Sequence, residues 1–206
     1  MKIWLVFMIS LTAGIARSWT TLDEMENEIC FALTNDTYLL SEAFTNKLNE
    51  AASSPLAKMR CEAYMILSIN AYQHFRDTVD ESWLGVEMQN ASNAVVAIVD
   101  GGGEWQYWAS RFIYASAYAS ISDYSKSFSV STNAITEMVS LNYTNSESCV
   151  ERAIIEKFEM PGLEVESALK VFAGMSAACL GMGNVATNYA NQVPLTYRNM
   201  IFEFIK

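Results

Sequence analysis

The hydrophobic pattern after the first eighteen residues is helical almost throughout. Apolar side chains recur at spacings of three and four, and the alternation that is typical of strands is nearly missing. The pattern predicts nine or ten helices, over residues 22–33, 36–52, 55–76, 80–99, 104–120, 123–139, 147–158, 163–182, 185–192 and 194–206. Short links join them, so we expect one all-α domain spanning residues 19–206.

Local breakers and caps separate the predicted helices. Asp100 followed by three glycines, residues 101–103, is the strongest break, and glycine there allows the sharp reversal between two helices. The pair Ser122-Asp123 predicts a helix N-cap, and Ser54-Pro55 predicts a cap followed by proline at the first helical position.

The N-terminus has the order of a signal peptide. Met1-Lys2 is followed by an apolar run over residues 3–11 and by Gly14-x-Ala16, which fits the small-residue rule for cleavage. The run is too short to cross a bilayer as an ordinary helix. We therefore predict a signal peptide over residues 1–18 with cleavage after Ala16 or Ser18. The mature protein would be exported, periplasmic or secreted, without a transmembrane anchor; a buried N-terminal helix is the alternative.

Composition narrows the class of function. Apolar types make up 51% of the 206 residues, which excludes a disordered chain, and the formal net charge of −10 argues against nucleic-acid binding. A single histidine, His74, leaves few routes to general-base catalysis. It lies near a predicted helix end, three residues before Asp77, where a surface or capping role is the simpler interpretation.

Four cysteines follow the signal region, and an even count fits two disulfides in an oxidising compartment. Cys30 and Cys61 bracket a loop of about the same length as Cys149 and Cys179 do. Each pair could join neighbouring helices, so we predict Cys30–Cys61 and Cys149–Cys179 bridges, each worth about 3 to 4 kcal/mol. Four free thiols acting as small apolar side chains are the alternative.

Three long helices that begin near residues 55, 103 and 147 each open a helix pair. The middle pair carries Tyr114-Ala115-x-x-Tyr118, then Ile121-Ser122-Asp123-Tyr124, then small residues at Ser127 and Ala134. The last pair carries Gly174, Leu180-Gly181, Ala186 and Ala190. This arrangement resembles a degenerate tetratricopeptide repeat. The resemblance implies stacked αα-hairpins in a right-handed solenoid, with an ordinary helical bundle as the alternative.

The resemblance also implies a concave groove, lined by the first helix of each pair, that binds a protein or peptide. Tyr107, Tyr114 and Tyr118 share one helix face and are the candidate partner-binding residues, although burial in the core is the competing interpretation. We expect a non-enzymatic scaffold without a cofactor or metal site.

Two alternatives stay open from other classes of function. A hydrolase acting on carbohydrate would use paired carboxylates, for which Glu24 with Glu28 and Glu147 with Glu151 have helical spacing. A carrier of a small ligand would hold an apolar cavity between helices, for which the eleven methionines are suited. Sequons at Asn35, Asn90 and Asn142 matter only in a eukaryotic source.

Overall fold

The computed structural model of the chain describes residues 18–35, 41–99, 104–143 and 148–205. Within these ranges the regular structure consists of ten helices and no strand, which confirms the all-α prediction. They are α1 (Leu22–Asn35), α2 (Glu42–Ala51), α3 (Ala57–Thr78), α4 (Ser82–Ala97), α5 (Trp105–Ser120), α6 (Tyr124–Ser140), α7 (Cys149–Lys157), α8 (Val165–Cys179), α9 (Gly183–Ala190) and α10 (Leu195–Phe202). The predicted signal region up to residue 17 and the glycines at residues 101–103 lie outside the described residues.

Polar side chains fix where three of the helices begin. The side-chain oxygens of Ser41, Asp123 and Ser148 accept hydrogen bonds from backbone N–H groups in the first turns of α2, α6 and α7. Each bond satisfies a donor that has no partner inside its own helix. Asp123 thereby confirms the cap predicted at the start of α6.

Helices α2, α3 and α9 begin at other positions than the sequence pattern predicts. Helix α2 begins at Glu42, after its Ser41 cap, rather than at residue 36. Helix α3 starts at Ala57 rather than at Pro55, because the Ser54 side chain accepts a hydrogen bond from the Leu56 N–H at 3.2 Å and holds a turn there. Helix α9 starts at Gly183, which we predicted to be part of the preceding turn.

The helices pack as successive hairpins. Helix α3 packs on α4, α5 on α6, and α8 on α9, and each hairpin also contacts the next one. Between neighbouring hairpins, α5 contacts both α3 and α4, while α8 contacts both α5 and α6. Helices α1 and α2 cover α3 at one end, α10 covers α8 and α9 at the other, and α7 lies against α1 and α5.

One continuous apolar core runs through these layers. Its largest fully buried side chains include Phe44, Ile66, Trp108, Phe112 and Ile154, which come from four different helices. Among the described helices, none has the combination of length and apolarity that a membrane span requires.

Candidate functional site

A cavity of about 450 Å³ lies where the first helices of the three hairpins meet. Helices α3, α5 and α8 form its walls, the link from α7 to α8 and helix α10 close two further sides, and α6 contributes Tyr124. The apolar lining is aromatic and methionine-rich: Phe75, Phe158, Met160, Phe172, Met175, Met200 and Phe204. The cavity is therefore bounded on several sides rather than being an open groove along the first helices.

Interlocked aromatic rings form one wall of the cavity. Phe112, fully buried behind the wall, meets Phe158 and Phe172 edge-on, with ring centroids 5.0 and 5.4 Å apart. Tyr72 stacks on Phe158 with centroids 5.9 Å apart. Edge-on and stacked contacts at these distances stabilise ring positions beyond simple burial. The wall is thus preorganised by side chains from α3, α5 and α8.

Charged side chains line the rim of this cavity. Arg76 lies over the Tyr72 ring, and its guanidinium is 3.5 Å from the Glu159 carboxylate. Both members of this ion pair face solvent, with side-chain exposures of 51% and 76%. Lys157 also lines the cavity. An exposed ion pair of this kind contributes little stability, so Arg76 can exchange Glu159 for another anion at small cost.

A buried carboxyl group lies directly behind the cavity wall. Ser120 lines the cavity and donates to Glu87 Oε1 at 3.1 Å, while Glu87 Oε2 meets no donor. Burial raises the pKa of Glu87 to about 7, and the Ser120 hydrogen bond opposes that rise. Below about pH 7 Glu87 is therefore mostly protonated and uncharged, as a carboxyl without a cation partner must be in an apolar interior.

A second buried acid lies outside the cavity, between α1, α3 and α5. Gln106 Nε2 donates to Glu62 Oε1 at 2.8 Å, and the Glu62 carboxyl also interacts with that of Glu26. Burial is the largest cause that raises the pKa of Glu62, and Glu26 raises it further. Glu62 Oε2 meets no hydrogen-bond donor, and burial therefore favours the protonated, uncharged form of this carboxyl.

The acid pairs that we derived from helical spacing have other partners. Glu28 binds Lys47 at 2.8 Å and accepts a hydrogen bond from the Trp19 indole, whereas Glu24 accepts from Thr20. Glu151 is buried on α7. Residue 147 lies outside the described residues. Glu159 lines the cavity at its exposed rim, whereas Glu87 is buried behind Ser120 and is not part of the lining, so these two acids do not face each other across the cavity.

The single histidine packs on an aromatic ring. The His74 ring stacks on the Trp83 indole with centroids 4.3 Å apart, which joins α3 to α4. Throughout the described ranges, no cluster of three His, Cys, Asp or Glu side chains is arranged to hold a metal ion.

A second depression, of about 850 Å³, lies beside the start of the described chain. Ser18, Trp19 and Thr20 form one side of it, and polar side chains at the end of α2, among them Asn46 and Asn49, form another.

The structure places the three predicted tyrosines outside the cavity. Tyr107 is buried, donates to Glu137 Oε2 at 2.9 Å, and has the Arg111 guanidinium 3.2 Å from its ring centroid. Tyr114 and Tyr118 are half-buried and joined by a hydrogen bond of 2.7 Å between their hydroxyls. Tyr114 and Tyr118 are therefore in contact with each other, whereas Tyr107 contacts Glu137 of α6 instead.

The four cysteines are free thiols and are not paired as loop length predicted. Cys61 is fully buried, and its Sγ donates to the Gln106 carbonyl at 3.6 Å. Cys179 lines the cavity at the end of α8. Cys30 lies beside Cys149, a neighbour that loop length does not reveal because α1 and α7 are far apart in sequence.

Sequence reasoning missed the side chains that line the cavity. Phe75-Arg76, Ser120 and Met175 lie near the C-terminal ends of α3, α5 and α8, and this shared position is the signal that could have identified them. The methionine content of the sequence is suited to a ligand cavity, but composition alone does not say where in the fold that cavity lies. Comparisons with known protein families, with curated proteins and with solved structures find no match to this chain.

Proposed function

We propose that this chain is an exported, non-catalytic binding protein that holds a small amphipathic anion, such as a fatty acid, in the cavity between α3, α5 and α8. The observation that carries the proposal is the bounded aromatic and methionine lining of that cavity. The proposal favours the small-ligand carrier among the alternatives that the sequence left open.

The size and lining of the cavity support a small ligand. A volume of about 450 Å³ lies within the range of roughly 300 to 1,000 Å³ that is usual for small-molecule sites. Its walls combine rigid rings, such as Phe158 and Phe172, with adaptable thioethers, such as Met175 and Met200. Methionine fits irregular apolar shapes, so this lining suits an aliphatic chain.

The rim supports an anionic head group on that ligand. Arg76 and Lys157 lie beside the cavity in a protein whose net charge is −10, so cations are concentrated locally against the overall charge. The serines of the lining point elsewhere, since Ser120 donates to Glu87 and Ser176 donates to Ser127 at 3.0 Å. The body of the cavity thus offers apolar contacts, and the rim offers charge.

The first test fills the cavity. Titration with a fluorescent polyene fatty acid should show saturable binding to the wild-type protein. Ala119 lines the cavity on α5, and Ala119→Trp places a large ring where the ligand chain would lie. We expect its affinity to fall at least about ten-fold, which corresponds to about 1.4 kcal/mol. Ala43→Trp, on an exposed face of α2, is the matched control and should bind as the wild type does.

The second test separates the head group from the chain. Arg76→Gln should weaken binding of the fatty acid about two- to five-fold, the effect of a partly exposed ion pair worth about 0.5 to 1 kcal/mol. It should leave binding of the matching fatty alcohol unchanged. Lys58→Gln removes an exposed ion pair with Glu104 at the opposite end of α3 and is the control. Saturable binding that neither Ala119→Trp nor Arg76→Gln alters would refute the site.

A peptide partner is the second candidate, because the cavity lies on the first helices of all three hairpins. That is where the tetratricopeptide resemblance implies a groove. An apolar side chain of the partner would then occupy the cavity, with an acidic neighbour on Arg76. Absence of fatty-acid binding, together with selection of peptides whose binding is lost in Ala119→Trp, would favour this candidate.

A further inference from the structure

Helices α1 and α7 are distant in sequence but pack side by side. Cys30 lies on α1, and Cys149 is the first residue of α7. Both side chains are half-buried at the edge of the core where α1 and α7 pack together, and the Cys30 thiol is a near neighbour of Cys149. The fold therefore brings two cysteine side chains together at a position that solvent can reach.

The other two cysteines belong to different environments. Cys61 is fully enclosed and bonded to the Gln106 carbonyl. Cys179 ends α8 and faces the cavity. Neither has the combination of a neighbouring thiol and solvent access that Cys30 and Cys149 share.

We propose that Cys30 and Cys149 form a disulfide when the folded chain meets a disulfide donor. One of the two thiols loses its proton, and the thiolate attacks the donor disulfide, which forms a mixed disulfide and releases one donor thiolate. The second cysteine then loses its proton and attacks the mixed disulfide, closing the Cys30–Cys149 bond and releasing the other donor thiolate. The two protons end on the two released thiols, and the two electrons reduce the donor.

The surroundings of the pair set the conditions for this reaction. Burial, the Cys30 thiol and the Glu26 carboxylate together raise the pKa of Cys149 to about 11. Thiolates are the attacking species, so exchange should be slow at neutral pH and faster in alkaline solution. The proposal is independent of the cavity and its ligand, since no residue of the pair lines it.

Peptide mapping tests the pairing directly, because trypsin places each cysteine on a separate peptide. The four peptides span residues 18–47, 61–76, 127–152 and 171–198. Folded protein is incubated with oxidised glutathione at alkaline pH, its remaining thiols are alkylated, and the digest is mapped without reduction. We expect 18–47 linked to 127–152, with the other two peptides alkylated.

Protein oxidised in urea is the control, since it should yield several linkages and so prove that the map detects them. The double variant Cys61→Ala, Cys179→Ala should still form the linkage, and Cys30→Ser should lose it. Recovery of unlinked 18–47 and 127–152 from oxidised folded protein would overturn the proposal. Linkage of either peptide to 61–76 or 171–198 would overturn it equally, and the wild-type map alone gives this answer if a variant fails to fold.

Discussion

Gly174 lies on α8 at the point where this helix is covered by α10. A Cβ atom built on Gly174 would lie 2.5 Å from Ile201 Cδ1, 3.0 Å from its Cγ1 and 3.1 Å from its Cγ2. Ile201 is fully buried and β-branched, so it has little freedom to move aside. We therefore predict that Gly174→Ala destabilises the protein although alanine is the better helix former.

Two opposing terms set the size of this effect. Overpacking a well-filled core costs about 1 to 3 kcal/mol. Replacing a helical glycine by alanine stabilises the helix by about 1 kcal/mol. The overpacking term is the larger, and the expected net loss in the free energy of unfolding is about 1 kcal/mol. For a chain of this length that corresponds to a Tm lowered by about 2 to 4 °C.

Gly85→Ala supplies the matched control within the same protein. Gly85 lies on an exposed face of α4. A Cβ atom built on Gly85 has no atom within 4 Å apart from its chain neighbours and the backbone of its own helix. Only the higher helix propensity of alanine applies at this position, so the free energy of unfolding of this variant should rise by up to about 1 kcal/mol. Urea unfolding followed by circular dichroism measures both variants, and the two should change stability with opposite signs.

A double variant identifies the contact responsible. Ile201→Val removes Cδ1, the nearest atom, and should cost about 1 kcal/mol in the wild-type protein. In the Gly174→Ala background the same change relieves the clash, so its cost should fall to near zero, a coupling between neighbours. The reasoning is refuted if Gly174→Ala stabilises as Gly85→Ala does, or if Ile201→Val costs the same in both backgrounds.

Two further changes test the buried acid behind the cavity and a helix cap. The folded-state pKa of Glu87 is about 7 against the ordinary 4.5, so the wild-type protein should lose roughly 3 kcal/mol of stability as pH rises from 4.5 through 7. Glu87→Gln should remove this loss of stability, whereas Glu156→Gln, at an exposed position, should keep it. Urea unfolding at several pH values measures both variants. The assignment is contradicted if the free energy of unfolding falls equally with pH in the two. Ser41→Ala should cost about 1 kcal/mol in thermal unfolding because it leaves the Phe44 N–H without its cap; exposed Ser125→Ala is the control, and equal stability of the two would show that the cap contributes nothing.

The helices could be predicted from the sequence because their signals are local. Apolar spacing, the Asp123 cap and the absence of strand-like alternation are read within one or two turns of chain. The predicted starts of α2, α3 and α9 are wrong for equally local reasons. Ser41 caps α2, and Asn35 is instead the last residue of α1. Ser54 accepts a hydrogen bond in the turn before α3 instead of capping the helix, and Gly183 is helical although glycine usually marks a turn.

The buried acids and the neighbouring thiols could not be predicted in this way. Glu62 and Glu87 lie on helices whose sequence gives no sign that a carboxyl is enclosed, since a buried and a solvated glutamate have the same spacing. Cys30 meets Cys149 only because α7 packs on α1. Contacts between elements far apart in sequence depend on the whole arrangement of helices, and loop length between cysteines carries no information about it.

Helix α8 shows how the same arrangement separates stability from binding. Its small buried residues include Gly174 and Ala177, and Gly174 leaves room for Ile201 of α10 to approach closely. Phe172 and Met175 lie among those small residues and line the cavity. The face of α8 that carries Gly174 is filled by Ile201 of α10, so larger side chains on that face should lower stability. Larger side chains on the face that lines the cavity should fill it and lower the affinity for the ligand, with stability little changed.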